Sequence, residues 1–405
     1  MKRIFLVIAM IGAALGAAAG GVLAAPLNMK NIPELKYPEF LPQAEFEAKT
    51  DLYKEDPNND PKIEYQVRLP KGWSEEKGSG VIDAPPIDTL SSTVMQRVAR
   101  YVSPARLHRR SYMIVESQEL SYEIGARNWF INYFQNSGYS LEGISGGEES
   151  NRVVEASYVE LVGDVTYAVR VKTIVNGPRV MMARYYVPVE LFGEERVMQA
   201  QSISSFELTG EKVERIEELR NYGFLDQAYF DFPASWKLSA PKVVHIERMR
   251  AMVYNPGPTG QMAGQINLYL TSRYIETTLG DEVRLYKEKL DIPDYEIGNR
   301  IESHIFPAHK DMEFARTEVY DMAPSRNFMM RYELWITVMQ SEGYYYIVTM
   351  LSPARQSDFY QWARNARAYE IVLKSVRQYD PAIDRYKYTE SEGALEKADE
   401  FKDRR

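Results

Sequence analysis

Two stretches of this chain spell the same succession of elements, and that repetition restricts its possible folds more than any other feature. Around Tyr65 an alternating segment runs into Pro70-Lys71-Gly72-Trp73, and around Tyr229 another runs into Pro233-Ala234-Ser235-Trp236. Later in each stretch, two apolar runs are split by a glycine-bearing turn and closed by a proline. The first reads Tyr167 to Val171, Asn176-Gly177-Pro178, then Val180 to Pro188; the second reads Tyr332 to Ile336, Ser341-Glu342-Gly343, then Tyr344 to Pro353. The copies are 163 residues apart at Trp73 and Trp236, 166 at Gly177 and Gly343, and 165 at Pro188 and Pro353. A shift that constant implies a duplicated domain, and paired apolar runs about a glycine turn imply antiparallel hairpins.

The N-terminus places the chain in a compartment. Lys2-Arg3 precede an apolar run from Ile4 through Ala19, then Val22-Leu23-Ala24 and Ala25-Pro26. Basic, apolar and small residues in that order read as a secretory signal peptide over residues 1–24, cut after Ala24, with an uncleaved anchor as the alternative. The absence of cysteine excludes thiol catalysis, cysteine lipidation, thiolate-bound zinc and iron–sulfur clusters. Export without disulfides points to a bacterial periplasm. The formal charge of −8 is unfavourable to nucleic-acid binding.

Residues 25–62 are rich in Pro, Glu and Asp, show no sustained period, and read as an extended acidic arm that Leu35, Tyr37, Phe40, Leu41 and Phe46 could pin to a partner or to the chain itself. A first domain over 63–208 opens on the alternating strand Ile63 to Leu69. A helical stripe follows (Leu120, Ile124, Ile131, Phe134), then four strands and a closing helix near Val189 to Leu208. In the connector, 209–226, Val213, Ile216 and Leu219 recur at helical spacing. A second domain over 227–378 repeats the order, with a helix carrying Leu279, Val283, Tyr286 and Leu290 and a closing helix whose apolar face holds Phe359, Trp362, Ala363, Ala366, Tyr369 and Leu373. Residues 379–405 form a charged tail. The fold class expected is α+β: two tandem duplicated domains, each an antiparallel sheet covered by helices as an α/β/α sandwich.

A strand ending in Pro-x-Gly-Trp at the head of such a domain, followed by hairpins and a closing amphipathic helix, resembles the PsbP/Mog1/DcrB superfamily. The residues that carry the resemblance are Tyr65 to Trp73, Tyr229 to Trp236, and the closing helices near Val189 to Leu208 and Phe359 to Arg377; the second copy departs from the pattern in having Ser235 in place of Gly. The resemblance implies a non-enzymatic module, often exported to a periplasm or thylakoid lumen, that docks on larger complexes and has no shared catalytic residues.

Candidate chemistry is sparse. His304 and His309, near Asp311 and Glu313, could form a metal site, but residues five apart share neither a helix face nor a strand face. His245 reads as a surface residue of a strand. Asp56-Pro57-Asn58-Asn59-Asp60 lacks the glycine and glutamate of a calcium loop and reads as a turn. Gly143 to Ser150 has no Lys-Ser/Thr ending and reads as a hairpin loop. One cluster stands out in an acidic chain: Arg97, Arg100, Arg106, His108, Arg109 and Arg110, interleaved with Val98, Tyr101 and Leu107. It reads either as a solvated helix and strand start or as a docking patch, with Arg97, Arg100, Arg106, Arg109, Arg110 and Tyr101 as interaction residues for an acidic partner, anionic headgroups or cell-wall polymer. The acidic stretch Glu45 to Asp60 could occupy the same patch, within the molecule or in a homo-oligomer.

The expectation is a non-enzymatic, cofactor-free periplasmic accessory or adaptor of an envelope-spanning protein complex such as a secretion or conjugation system. The alternative is a binding module for a small hydrophobic ligand or cell-wall fragment held between the domains. A metal-assisted hydrolase comes third.

Overall fold

The computed structural model describes residues 32–76, 95–104, 109–135, 141–146, 151–241, 245–257, 262–290, 295–304, 308–324 and 330–380. The signal segment 1–24, Arg106 and His108 of the basic cluster, and residues 381–405 of the tail lie outside them. Among the described residues no helix is long and apolar enough to cross a membrane.

The first half comprises α1 (Gln43–Lys49), β1 (Thr50–Glu55), β2 (Tyr65–Pro70), β3 (Ser74–Glu75), β4 (Gln96–Val102), β5 (Tyr112–Glu119), α2 (Ala126–Gln135), β6 (Leu141–Ile144), β7 (Val153–Val162), β8 (Val165–Asn176), β9 (Arg179–Pro188), α3 (Phe192–Ser205) and β10 (Glu207–Leu208). The second comprises β11 (Leu219–Phe224), β12 (Ala228–Pro233), β13 (Lys237–Ser239), β14 (Arg248–Pro256), β15 (Met262–Ser272), α4 (Leu279–Lys289), β16 (Tyr295–His304), β17 (Phe314–Pro324), β18 (Tyr332–Gln340), β19 (Tyr344–Pro353), α5 (Phe359–Ser375) and β20 (Arg377–Gln378). Each half contributes one seven-stranded antiparallel sheet, ordered β3-β4-β5-β9-β8-β7-β6 and β13-β14-β15-β19-β18-β17-β16. A three-stranded ribbon accompanies each sheet, β1-β2-β10 and β11-β12-β20. The matching strand orders give a duplicated two-part layout of the α+β class.

Alternation along the central strands explains the layers. On β9, Val180, Met182 and Tyr186 belong to the core shared with α2, whereas Met181, Ala183, Tyr185 and Val187 face α3. On β19, Tyr346, Val348 and Met350 face α5, and Ile347 faces α4. One hydrophobic core then runs from the α2 side of the first sheet to the α5 side of the second, with α2 and α5 in contact. The order of layers is α3, first sheet, α2 with α5, second sheet, α4.

That order places twin helices in unlike surroundings. Trp129, Phe130, Ile131 and Phe134 of α2 are all buried, as suits a helix covered on most of its circumference. In α4 no residue is fully buried. Its start is fixed locally: Thr278 accepts the Asp281 N–H at 3.2 Å, Asp281 and Glu282 lie in the first turn, and Lys287 and Lys289 in the last, complementing the helix dipole.

Two expectations are corrected. The arm is not wholly extended, because residues 43–49 form a helix and Thr50–Glu55 pair with β2. It is pinned to its own half: Leu35 and Phe46 are buried, the Leu35 N–H donates to Ile144 O at 3.1 Å and the Ile144 N–H to Pro33 O at 3.0 Å, closing the β6 edge. The connector is not helical. Val213, Ile216 and Leu219 meet three separate neighbours instead of one helix face: Val213 lies over Gly177, the Ile216 N–H donates to Glu123 Oε1 at 2.7 Å, and Leu219 begins β11. Gly177 is required there, since φ is +57° and a Cβ would lie 2.6 Å from Val213 Cγ1.

The space between the halves is occupied. Arg367 of α5 reaches the buried Glu123 at 3.5 Å and Glu370 at 2.7 Å. Asn151 Nδ2 donates to both Glu370 oxygens at 3.0 and 2.9 Å, and the Glu123 N–H donates to Glu217 Oε1 at 3.3 Å.

A candidate binding cleft beneath the second-half helix

The unfilled outer face of the second sheet leaves a cleft of about 520 Å³ between β14, β15 and α4. Tyr269 and Ile347 of the sheet form its floor and Leu285, Tyr286 and Leu290 its roof, and its polar lining includes Arg248, Arg250, Thr271, Glu282 and Lys289, with His245 at the lip. Alternation along β14 and β15 aims Arg248, Arg250, Tyr269 and Thr271 at this side, while Glu282, Leu285, Tyr286 and Lys289 descend from α4 at three- and four-residue intervals. The volume falls within the range of small-molecule sites, roughly 300–1,000 Å³.

Several groups are already committed. The rings of Tyr269 and Tyr286 meet edge to face at 5.2 Å, and the Tyr286 hydroxyl donates to Thr349 Oγ1 at 2.9 Å. Burial pushes the Tyr286 phenol up and the Tyr269 phenol likewise, against the pull of Arg250. Both therefore stay protonated and uncharged at neutral pH. Glu282 is tied down by Arg248 at 2.7 Å, Thr277 Oγ1 at 2.8 Å and Thr271 Oγ1 at 3.1 Å. Arg250 and Lys289 have no ion-pair partner among the described residues. The arrangement can bind and orient a molecule.

The basic cluster fares unevenly. It opens on the strand β4, so the helical half of that expectation is corrected. Tyr101 is no interaction residue: it is fully buried, its hydroxyl 2.9 Å from that of Tyr65. Arg100 pairs with Glu76 at 2.6 Å and lies over the Tyr112 ring at 4.9 Å. Arg109 is paired with Glu190. Arg97 and Arg110 are exposed. Of the acidic stretch, Asp60 pairs with Arg179 at 3.0 Å and Glu47 with Arg68 at 3.6 Å, while Glu55 lies close enough to hydrogen-bond Tyr101. His309 Nδ1 lies 3.1 Å from Asp311 Oδ2, and among the described residues no group of three or more His, Asp or Glu side chains could hold a metal ion. His245 is exposed and precedes β14, its carbonyl accepting the Arg248 N–H at 3.0 Å.

No family model matches the chain, and no curated protein matches it. Among solved structures it is similar to the solution structure of cyanobacterial PsbP (CyanoP) from Synechocystis sp. PCC 6803, with 14% identity and a TM-score of 0.29, over 40% of this chain and 94% of that one. A superposition that loose carries no assignment.

Proposed function

We propose that the protein is a non-enzymatic binding protein of the periplasm, exported by residues 1–24, that holds a small amphipathic molecule in the cleft beneath α4. The observation that carries this reading is the cleft itself, about 520 Å³ lined by two uncharged tyrosines and three aliphatic side chains. The cleft lies within the second half, whereas the sequence led to the expectation of a site between the domains. Binding of an uncharged fluorescent naphthalene probe tests it: the full chain is expected to bind one equivalent saturably, and Leu285→Trp, which fills the cleft from a half-exposed position, is expected to abolish binding. Equal binding by the filled variant would rule the cleft out.

A second reading is favoured by the exposure of Arg97 and Arg110. On it, the protein is an accessory of an envelope-spanning complex, such as a secretion or conjugation machine, docked through this basic edge, in keeping with the PsbP/Mog1/DcrB resemblance of its Trp-ended strands. Crosslinking in the native envelope, with and without Arg97→Glu/Arg110→Glu, should give a defined set of envelope proteins that the charge reversal loses. An unchanged set would remove this edge from consideration.

A further inference from the structure

We infer that the cleft beneath α4 takes a single-chain amphiphile whose head group is an anion, a carboxylate or a phosphate. This rests on the binding reading above and comes from comparing the two halves position by position. On β9 and β19, Pro188 corresponds to Pro353, so Met182 corresponds to Ile347 and Arg184 to Thr349. Across the next ladder Met182 pairs with Glu116 and Ile347 with Tyr269, and across the one after it Glu116 pairs with Arg97 and Tyr269 with Arg250. Arg97 and Arg250 therefore hold the same place in the two sheets.

What faces them differs. In the first half Arg97 looks across at Glu116, which Arg184 also engages in an ion pair beneath α2. Tyr133, Tyr158 and Tyr186 surround that pair. In the second half the carboxylate position is Tyr269 and the second arginine is Thr349, so the sheet keeps its cation and lacks the internal anion. Lys289 adds a second positive charge from α4, and the one carboxylate in the lining, Glu282, is consumed by Arg248, Thr271 and Thr277. Where the first half supplies its own carboxylate and covers it with a buried helix, the second leaves an open cleft with Arg250 on the sheet and Lys289 on α4, beside aromatic and aliphatic walls. An anionic head between Arg250 and Lys289 with its chain along Tyr269, Tyr286 and Ile347 satisfies both parts.

Calorimetric titration of the full chain with four probes below micelle concentration tests this: dodecyl phosphate, dodecanol, dodecyltrimethylammonium and inorganic phosphate. Dodecyl phosphate is expected to bind one site at least about tenfold more tightly than dodecanol or the ammonium amphiphile, with no measurable binding of phosphate alone. Arg250→Gln/Lys289→Gln, at two exposed positions, is expected to bring dodecyl phosphate down to the level of dodecanol, while Arg97→Gln leaves the preference intact. Equal affinity for the charged and uncharged amphiphiles, or a preference that survives the double substitution, overturns the inference. If in that case Leu285→Trp still abolishes dodecanol binding, the cleft reading stands and only the anionic head is lost. If no monomeric amphiphile binds, both fail, and capture by anionic vesicles alone would count the same way against the monomer.

Discussion

Glu370 shows how much a single side chain can contribute at the joint between the halves. Burial alone would raise its pKa, but Arg367 and Lys374 outweigh that and hold it below the usual 4.5. A carboxylate depressed in the folded state contributes stability above its unfolded pKa and loses it as pH falls through the folded value. Glu370→Gln is expected to cost ~1–3 kcal/mol near neutral pH, a deficit that shrinks once pH drops below 4.5 and is gone under the depressed value. Urea unfolding of both proteins at a series of pH values measures it, and a deficit independent of pH would mean that the charge of Glu370 contributes nothing. Residues of this kind are hard to identify from sequence, because a Glu on a helix reads as a solvated face until its partners, here Asn151 from the other half, are known.

Among elements, the paired helices offer the sharpest contrast. Trp129→Ala in α2 is expected to cost ~3–5 kcal/mol, since the cavity opens in a core shared by two sheets. Leu285→Ala in α4 is expected to cost about 1 kcal/mol or less, because the site is already open to solvent. Denaturant midpoints of the two variants separate these cases, and equal losses would contradict the layer order. The strands β7, β8, β9, β17 and β19 were legible from alternation and glycine turns, and α4 and α5 from spacing. Other segments were not, and three of them show why. In α1 Phe46 is the only buried residue, so no stripe exists to be read. β4 carries a bulge between Arg97 and Ala99, which breaks its alternation, and Val213, Ile216 and Leu219 mimic a helix while serving three different contacts. The cleft was hidden for another reason: Arg250 and Tyr269 look like ordinary strand residues until set beside Arg97 and Glu116 in the other copy.

For the whole molecule, one continuous core predicts one folding unit. Heating or urea is expected to give a single transition, with tryptophan fluorescence and far-ultraviolet dichroism coincident, although the sheets are separate. Two resolved transitions would show that the contact of α2 with α5 is weaker than its burial suggests. The same contact has a consequence for how such a protein changes over generations. A helix wedged between two sheets tolerates few substitutions, whereas its twin, with one side in water, can accept many at little cost to folding. Drift after duplication therefore has unequal room in the two copies. The first is held as a scaffold, and the second can change its outer face without putting the fold at risk.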